Sequence, residues 1–165
     1  LYETDFPAWA EGQAAALRAR PELARLGLDL PNLIEELETL AREEVRALED
    51  GVRTGLVRLL LAAADPDPAR AAGPLSQVSG PLIAARRHLS PTGRARLDPD
   101  RLWAEAWEEA VAALPDGALQ AEPIPCPIPV WPLLERGFRP REALERVREA
   151  LAATRTPTPG GPAAA

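Results

Sequence analysis

The densest set of potentially reactive side chains is a run of carboxylates, Glu35, Glu36, Glu38, Glu43 and Glu44. A metal-dependent helical enzyme needs such acids to converge on one face of a bundle, because a divalent cation takes several oxygen ligands at once. At about 100° per residue these five spread over most of a helix circumference. They therefore predict a solvated face with ion pairs rather than one site on this helix. Glu44 differs, because it projects onto the apolar stripe. A carboxylate there is costly unless paired, and Arg58 or Arg86 is the expected partner. Glu44, Arg58 and Arg86 thus form the candidate buried polar site, as a structural ion pair or as a binding-site acid.

The remaining reactive residues are few. The only histidine is His88, in Arg86-Arg87-His88 with no acid three residues before it, so the Glu-x-x-His pairs of di-iron bundles are absent. His88 is expected at a helix end, where its partial charge suits the C-terminus. The single cysteine, Cys126, forms no internal disulfide or cysteine-rich zinc site. It sits between Pro125 and Pro127 and is expected as a buried structural thiol rather than a nucleophile paired with His88. The run Glu35-Glu36-Leu37-Glu38 falls short of the Glu-Glu-x-x-Glu of all-α pyrophosphatases, and the following helix offers no matching acids. Trp103 and Trp107 are spaced as core aromatics; a stacking platform for bases needs a basic surround, which Glu105, Glu108 and Glu109 contradict. No glycine-rich phosphate loop and no zinc, kinase or hydrolase motif is present. No metal and no cofactor is expected.

Composition narrows the partners. The chain has 165 residues, 46% of them apolar, with 25 acidic against 19 basic side chains and a net charge of −6. That balance opposes non-specific binding to nucleic acid or anionic membranes. Every basic residue is arginine, proline reaches 19, and methionine is missing even at position 1, so a short N-terminal piece is expected to precede Leu1. No apolar run is long enough for a membrane span. With one cysteine and no signal-like segment, the expected location is the cytoplasm.

The elements that must position these residues are helical. Thr4 or Asp5 with Pro7 opens a first helix, whose Phe6, Ala10, Ala14 and Leu17 recur at helical spacing before Pro21 stops it. A single turn follows over Glu22–Leu26. Asp29 and Pro31 then open one long helix from about Leu30 to Ala64, on the order of 50 Å in length. Leu30, Leu33, Ile34, Leu37, Leu40, Ala41, Val45, Leu48, Val52, Leu56, Leu59 and Ala63 share its apolar stripe. Glu38–Arg42 and Glu49–Arg53 have the spacing of helical ion pairs. Val57, Leu60 and Leu61 widen the apolar surface, so the end of the helix is expected to be buried on most sides. Gly51 and Gly55 lie on the stripe and predict a close helix crossing, or a kink. Asp65-Pro66-Asp67-Pro68 ends the helix. Gly73-Pro74, Gly80-Pro81 and Ser90-Pro91 are expected to break residues 69–97, with Ser79 capping a helix that carries Leu82, Ile83, Arg86 and Leu89. A further helix begins at Asp98-Pro99, and Glu122–Pro132 reads as a polyproline-like strap over the helices. A last helix starts near Pro140, with Leu144, Val147 and Leu151 on a narrow stripe suited to a partner.

The residues Tyr2-Glu3-Thr4-Asp5-Phe6 with Ala8-Trp9-Ala10 form a first motif. Leu28-Asp29, Asn32-Leu33, Glu35-Glu36-Leu37-Glu38, Leu40, Arg42 and Glu44 follow as a second. Ser90-Pro91, Ala106-Trp107 and Ala110 lead to Cys126-Pro127, Leu133-Leu134, Phe138 and Pro140. Together they resemble the bacterial domain of unknown function 29 over about residues 1–140. The resemblance implies an all-α fold and supplies no catalytic residues. The chain departs from the family pattern at Arg58, Leu61 and Ala62, where His, Lys and Trp are usual, at Trp107, where Tyr is usual, and at the Gly80-Pro81 interruption.

The resulting expectation is an all-α, irregular helical bundle around one long central helix, with a Pro-rich extended strap and a disordered C-terminal tail. It comprises a domain over 1–140, an extra helix over 141–154 and the tail over 155–165. The function expected first is a non-enzymatic helical interaction module, whose partner is another protein or a second copy of the chain. The alternatives are a carboxylate-based metal-dependent enzyme at Glu44, and a regulator of toxin–antitoxin type resting on Arg86-Arg87 and on Arg94 and Arg96.

Overall fold

A 35-residue helix, α2 (Leu30–Ala64), is the axis of the structure, a computed structural model that describes residues 1–155. Asp29 caps it by accepting from the Asn32 backbone N–H, with Pro31 in the first turn. Asp65 leaves it in extended geometry, as a residue before proline must. Around it lie α1 (Phe6–Arg18), α3 (Pro68–Ser76), α4 (Ser79–Ala85), α5 (Pro91–Arg96), α6 (Pro99–Ala113), α7 (Val130–Leu133) and α8 (Pro140–Arg155). Two 3-10 turns, Pro21–Leu26 and Arg86–His88, join α1 to α2 and extend α4.

The two halves of α2 live in different surroundings. The C-terminal half is enclosed by α3, α4, α6 and α8, so that Leu48, Val52, Leu56, Leu59, Leu60 and Ala62 are buried. The N-terminal half packs chiefly on α1. Small residues line that pair, with Ala10, Ala14 and Ala41 fully buried, so the two helices approach closely. Most of the core is therefore built at one end of the axis, and the other end is an αα-hairpin.

Gly51 and Gly55 mark a close crossing rather than a kink. A Cβ on Gly51 would lie 2.6 Å from the Cβ of Ala85 and 2.8 Å from the carbonyl oxygen of Pro81, and one on Gly55 would lie 2.7 Å from Leu82. α4 thus lies directly against the α2 backbone. On another side, α6 is capped by Asp98, which accepts from the Asp100 and Arg101 N–H groups. Its Trp103 and Trp107 are buried and hold the following chain by their indoles: Trp103 Nε1 donates to the Ile124 carbonyl of the strap at 2.7 Å and Trp107 Nε1 to that of Gln120, just before the strap, at 3.0 Å. The strap is extended only as far as Pro129, because Val130–Leu133 turn into α7; its prolines leave few N–H groups to offer, so a carbonyl is the natural point of attachment.

α8 packs inward. Leu144, Val147 and Leu151 join the core, so the stripe expected to meet a partner is covered within the chain. Arg148 donates to the carbonyls of Ala62 and Asp65, each at 3.1 Å. It satisfies carbonyls at the C-terminus of α2, whose last turn has no basic residue of its own.

Several local expectations are corrected. Gly73-Pro74 lies inside α3, because a helix that starts only at Pro68 loses a single internal hydrogen bond to Pro74. Gly80-Pro81 lies in the first turn of α4, where the missing N–H has no intrahelical acceptor anyway. Ser79 is the first helical residue and not a cap, and Ile83 is half exposed. The helical pairs Glu38–Arg42 and Glu49–Arg53 give way to tertiary ones, Arg18–Glu38, Arg101–Glu49 and Arg53–Glu109. Arg155 belongs to α8, and the rest of the tail expected to be disordered, 156–165, lies outside the described residues.

Candidate functional site

Glu44 does find a partner, and it is His88. The Nδ1 of His88 lies 2.8 Å from Glu44 Oε2, with each side chain about one-third exposed. With the carboxylate ionised, Nδ1 is the donor. Arg86 turns elsewhere: its Nε donates to the Leu134 carbonyl and its Nη2 to that of Glu135, both at 2.7 Å. Arg58 is half-buried and makes no hydrogen bond or ion pair among the described residues. The three residues of the candidate polar site are therefore not joined by such contacts. The 3-10 turn Arg86–His88 explains the switch, since at about three residues per turn positions two apart face different sides. One looks toward the end of the strap and the other toward α2.

Beyond His88 the chain stitches the hairpin to the bundle. Ser90 Oγ accepts from the Gly93 N–H at 3.0 Å and caps α5. Thr92 donates through its N–H at 3.2 Å and its hydroxyl at 2.9 Å to Asp5 Oδ2. Asp5 is only 7% exposed, and its other oxygen is buried without a hydrogen-bond partner among the described residues. Arg96 grips Glu11 with two hydrogen bonds of 2.7 and 2.8 Å, and this hydrogen-bonded guanidinium holds the Glu11 carboxyl below its usual range. Residues 88–96 thus tie Glu44 of α2 to Asp5, just before α1, and to Glu11 within it. Asp5 and Thr92 escaped sequence reading because Asp5 reads equally well as a helix cap. Its side chain does not cap α1; it reaches across to α5.

Chemically this arrangement fixes an imidazole and a carboxylate. Among the described residues no third reactive group is hydrogen-bonded to the pair, and no three His, Cys, Asp or Glu side chains gather as a metal would require. Cys126 donates from Sγ to the Ile128 carbonyl at 3.1 Å, and burial pushes its thiol above the usual range. Alkylation by iodoacetamide near pH 8, followed by mass spectrometry, is expected to be at least about tenfold slower in the folded protein than in urea, because the thiolate is the reacting form. Equal rates would contradict the half-buried placement of Cys126.

The other notable surface is a seam of α2. α4 runs antiparallel to α2, with Leu82 against Gly55 and Ala85 against Gly51, and its 3-10 extension ends where His88 meets Glu44. The same stripe continues toward the helix start at three- and four-residue spacing, through Leu40, Leu37 and Leu33. There it is largely uncovered: Leu33 and Leu40 are 41% and 42% exposed and Leu37 is half-buried, against 0% for Leu48. Their expected place in the core is corrected by the chain turning away at Leu89–Ser90 into α5. Leu28 and Leu26, 42% and 76% exposed, extend the apolar surface.

An all-α domain of one enclosed bundle and one protruding hairpin, pinned by Asp5, Glu44 and Ser90, is the class defined here. Those three residues come from three of the separated sequence motifs. The chain belongs to the family described as Domain of unknown function DUF29, which it matches over residues 1–138. It is also similar to an α-helical protein of unknown function from Rhodospirillum rubrum, solved by crystallography. The two share 29% identity with a TM-score of 0.71, covering 89% of this chain and 97% of that one. No curated protein matches it at a significant level. Among the described residues no helix is long and apolar enough to cross a membrane.

Proposed function

We propose that this domain is a non-enzymatic helical interaction module whose contact surface is the uncovered seam of α2. The observation that carries the reading is one stripe with two fates: covered by α4 at Gly55 and Gly51 and by its 3-10 extension at Glu44, but with Leu40 and Leu33 exposed beyond and Leu37 only half-buried between them. Apolar residues at such spacing are what a second helix packs against, and contiguous exposed apolar surface marks interaction sites. The enclosed bundle serves to hold the hairpin rigid, through Glu44–His88, Asp5–Thr92 and Glu11–Arg96. The unpaired cysteine fits a reducing compartment, so we place this interaction in the cytoplasm. Acidic excess over the chain argues for a protein partner over nucleic acid.

The double substitution Leu33→Glu/Leu40→Glu tests it. Because both side chains are already substantially exposed, the melting temperature should stay within about 3 °C of the unaltered protein. A photo-crosslinker placed at exposed Asn32 should form one reproducible adduct in the native cell, lost in the double variant. An adduct indifferent to the two substitutions, or a large loss of stability, would overturn the reading.

A further inference from the structure

Resting on that interaction reading, we infer that the seam takes a basic amphipathic helix of a partner protein rather than a second copy of this chain. The inference comes from the flank of the seam. Taking Leu37 and Glu44 as the first seam position of a seven-residue repeat and Leu33 and Leu40 as the second, the residue preceding each first position lies beside the seam, on the side away from α1. Those flanking residues are Asp29, Glu36, Glu43 and Asp50, all acidic, all exposed and spaced by seven. Glu36 and Glu43, which border the bare stretch itself, make no ion pair or hydrogen bond among the described residues. Asp29 is engaged with Asn32 and Asp50 with Arg53.

The opposite flank carries no counter-charge. Its residues are Ile34 and Ala41, on the side where α1 lies, and Ala41 is fully buried. Charges beside a helical seam select partner and orientation, because a like-charged neighbour is repelled and an opposite one attracted across the same gap. A second copy docking antiparallel on this seam would set Glu36 and Glu43 against its own acidic flank. A second copy docking parallel would set them over the side already taken by α1. A helix with leucine-like residues at the seam and arginine or lysine along one flank meets neither obstacle. The bare stretch ends at Glu44–His88, so the partner helix contributes about three turns, lying on the hairpin and abutting the end of α4. So short a contact implies modest affinity, with charge deciding specificity more than strength.

Two labelled three-heptad synthetic helices test this, identical in their leucine face and carrying either arginine or glutamate at the flanking positions. Fluorescence anisotropy against the full protein should show the arginine helix binding at least about tenfold tighter at 0.1 M salt, as charge complementarity requires. The advantage should shrink at 1 M, where the screening length drops from about 10 Å to about 3 Å. Leu40→Glu should remove binding, and Glu36→Arg/Glu43→Arg, both at exposed positions, should reverse the preference. Equal binding of the two helices, abolished by Leu40→Glu, overturns the charge inference and leaves the seam as a contact surface. A dimer in sedimentation that Leu40→Glu converts to monomer overturns it in favour of a second copy. Binding indifferent to Leu40→Glu overturns the seam itself.

Discussion

Replacing Trp107 with alanine is expected to remove about 3–5 kcal/mol of folding stability, the range for large aromatics truncated in a core. Trp107 is the largest of the fully buried side chains. Two separate losses combine. The ring leaves a cavity in the core under α6, and the Gln120 carbonyl loses the indole N–H that it accepts at 3.0 Å. Trp107→Phe keeps most of the apolar volume and gives up the hydrogen bond, so it should lie nearer about 1–2 kcal/mol. Urea unfolding of the three proteins, fitted with a common slope, measures both steps. A Trp107→Ala loss below about 1 kcal/mol would mean that the core does not depend on this residue.

The second large effect is at Gly51. In an exposed helix, glycine to alanine gains up to about 1 kcal/mol from backbone preference. Here the new Cβ would sit 2.8 Å from the Pro81 carbonyl oxygen, and backbone has nowhere cheap to go. Gly51→Ala should therefore destabilise despite better propensity, by about 1–3 kcal/mol, and Gly51→Leu should cost about 3 kcal/mol or more. Gly12 in α1 is the control, since nothing lies within 4 Å of a Cβ placed there; Gly12→Ala should stabilise slightly. Opposite signs at the two sites, read as shifts in melting temperature, are the expected result. Equal gains would show that α4 does not lie against α2. Because α4 leads directly to His88, any Gly51 variant that still folds should also perturb the His88 ring resonances.

The long helix was legible almost to its ends, because cap, first-turn proline, apolar stripe and terminal Asp-Pro pairs all agree on its limits. The glycine crossing was legible for a similar reason: two glycines on a buried stripe have few uses. Glu44 was legible as an acid that needs a partner. Its partner was not, because Arg86 and His88 are two residues apart and only the pitch of a three-residue turn decides which one faces α2. Leu33 and Leu40 were misplaced in the core because periodicity reports which face is apolar, not whether the chain supplies anything to cover it. The ion pairs fared likewise: spacing along one helix finds neighbours on that helix, whereas Arg18, Arg101 and Glu109 arrive from others.

Arg148 bonds carbonyls of α2 from 86 and 83 residues further along the chain, and that separation has a kinetic meaning. The pairing of α1 with α2 involves near neighbours in sequence and can form quickly, since little loop entropy opposes it. The enclosed half of α2 has to wait until the ribosome has released α8, with its last turn of carbonyls still open to water. During synthesis, then, α1 can pair with α2 before the bundle behind them has closed, and the contacts from His88, Thr92 and Arg96 fix that pair only afterwards.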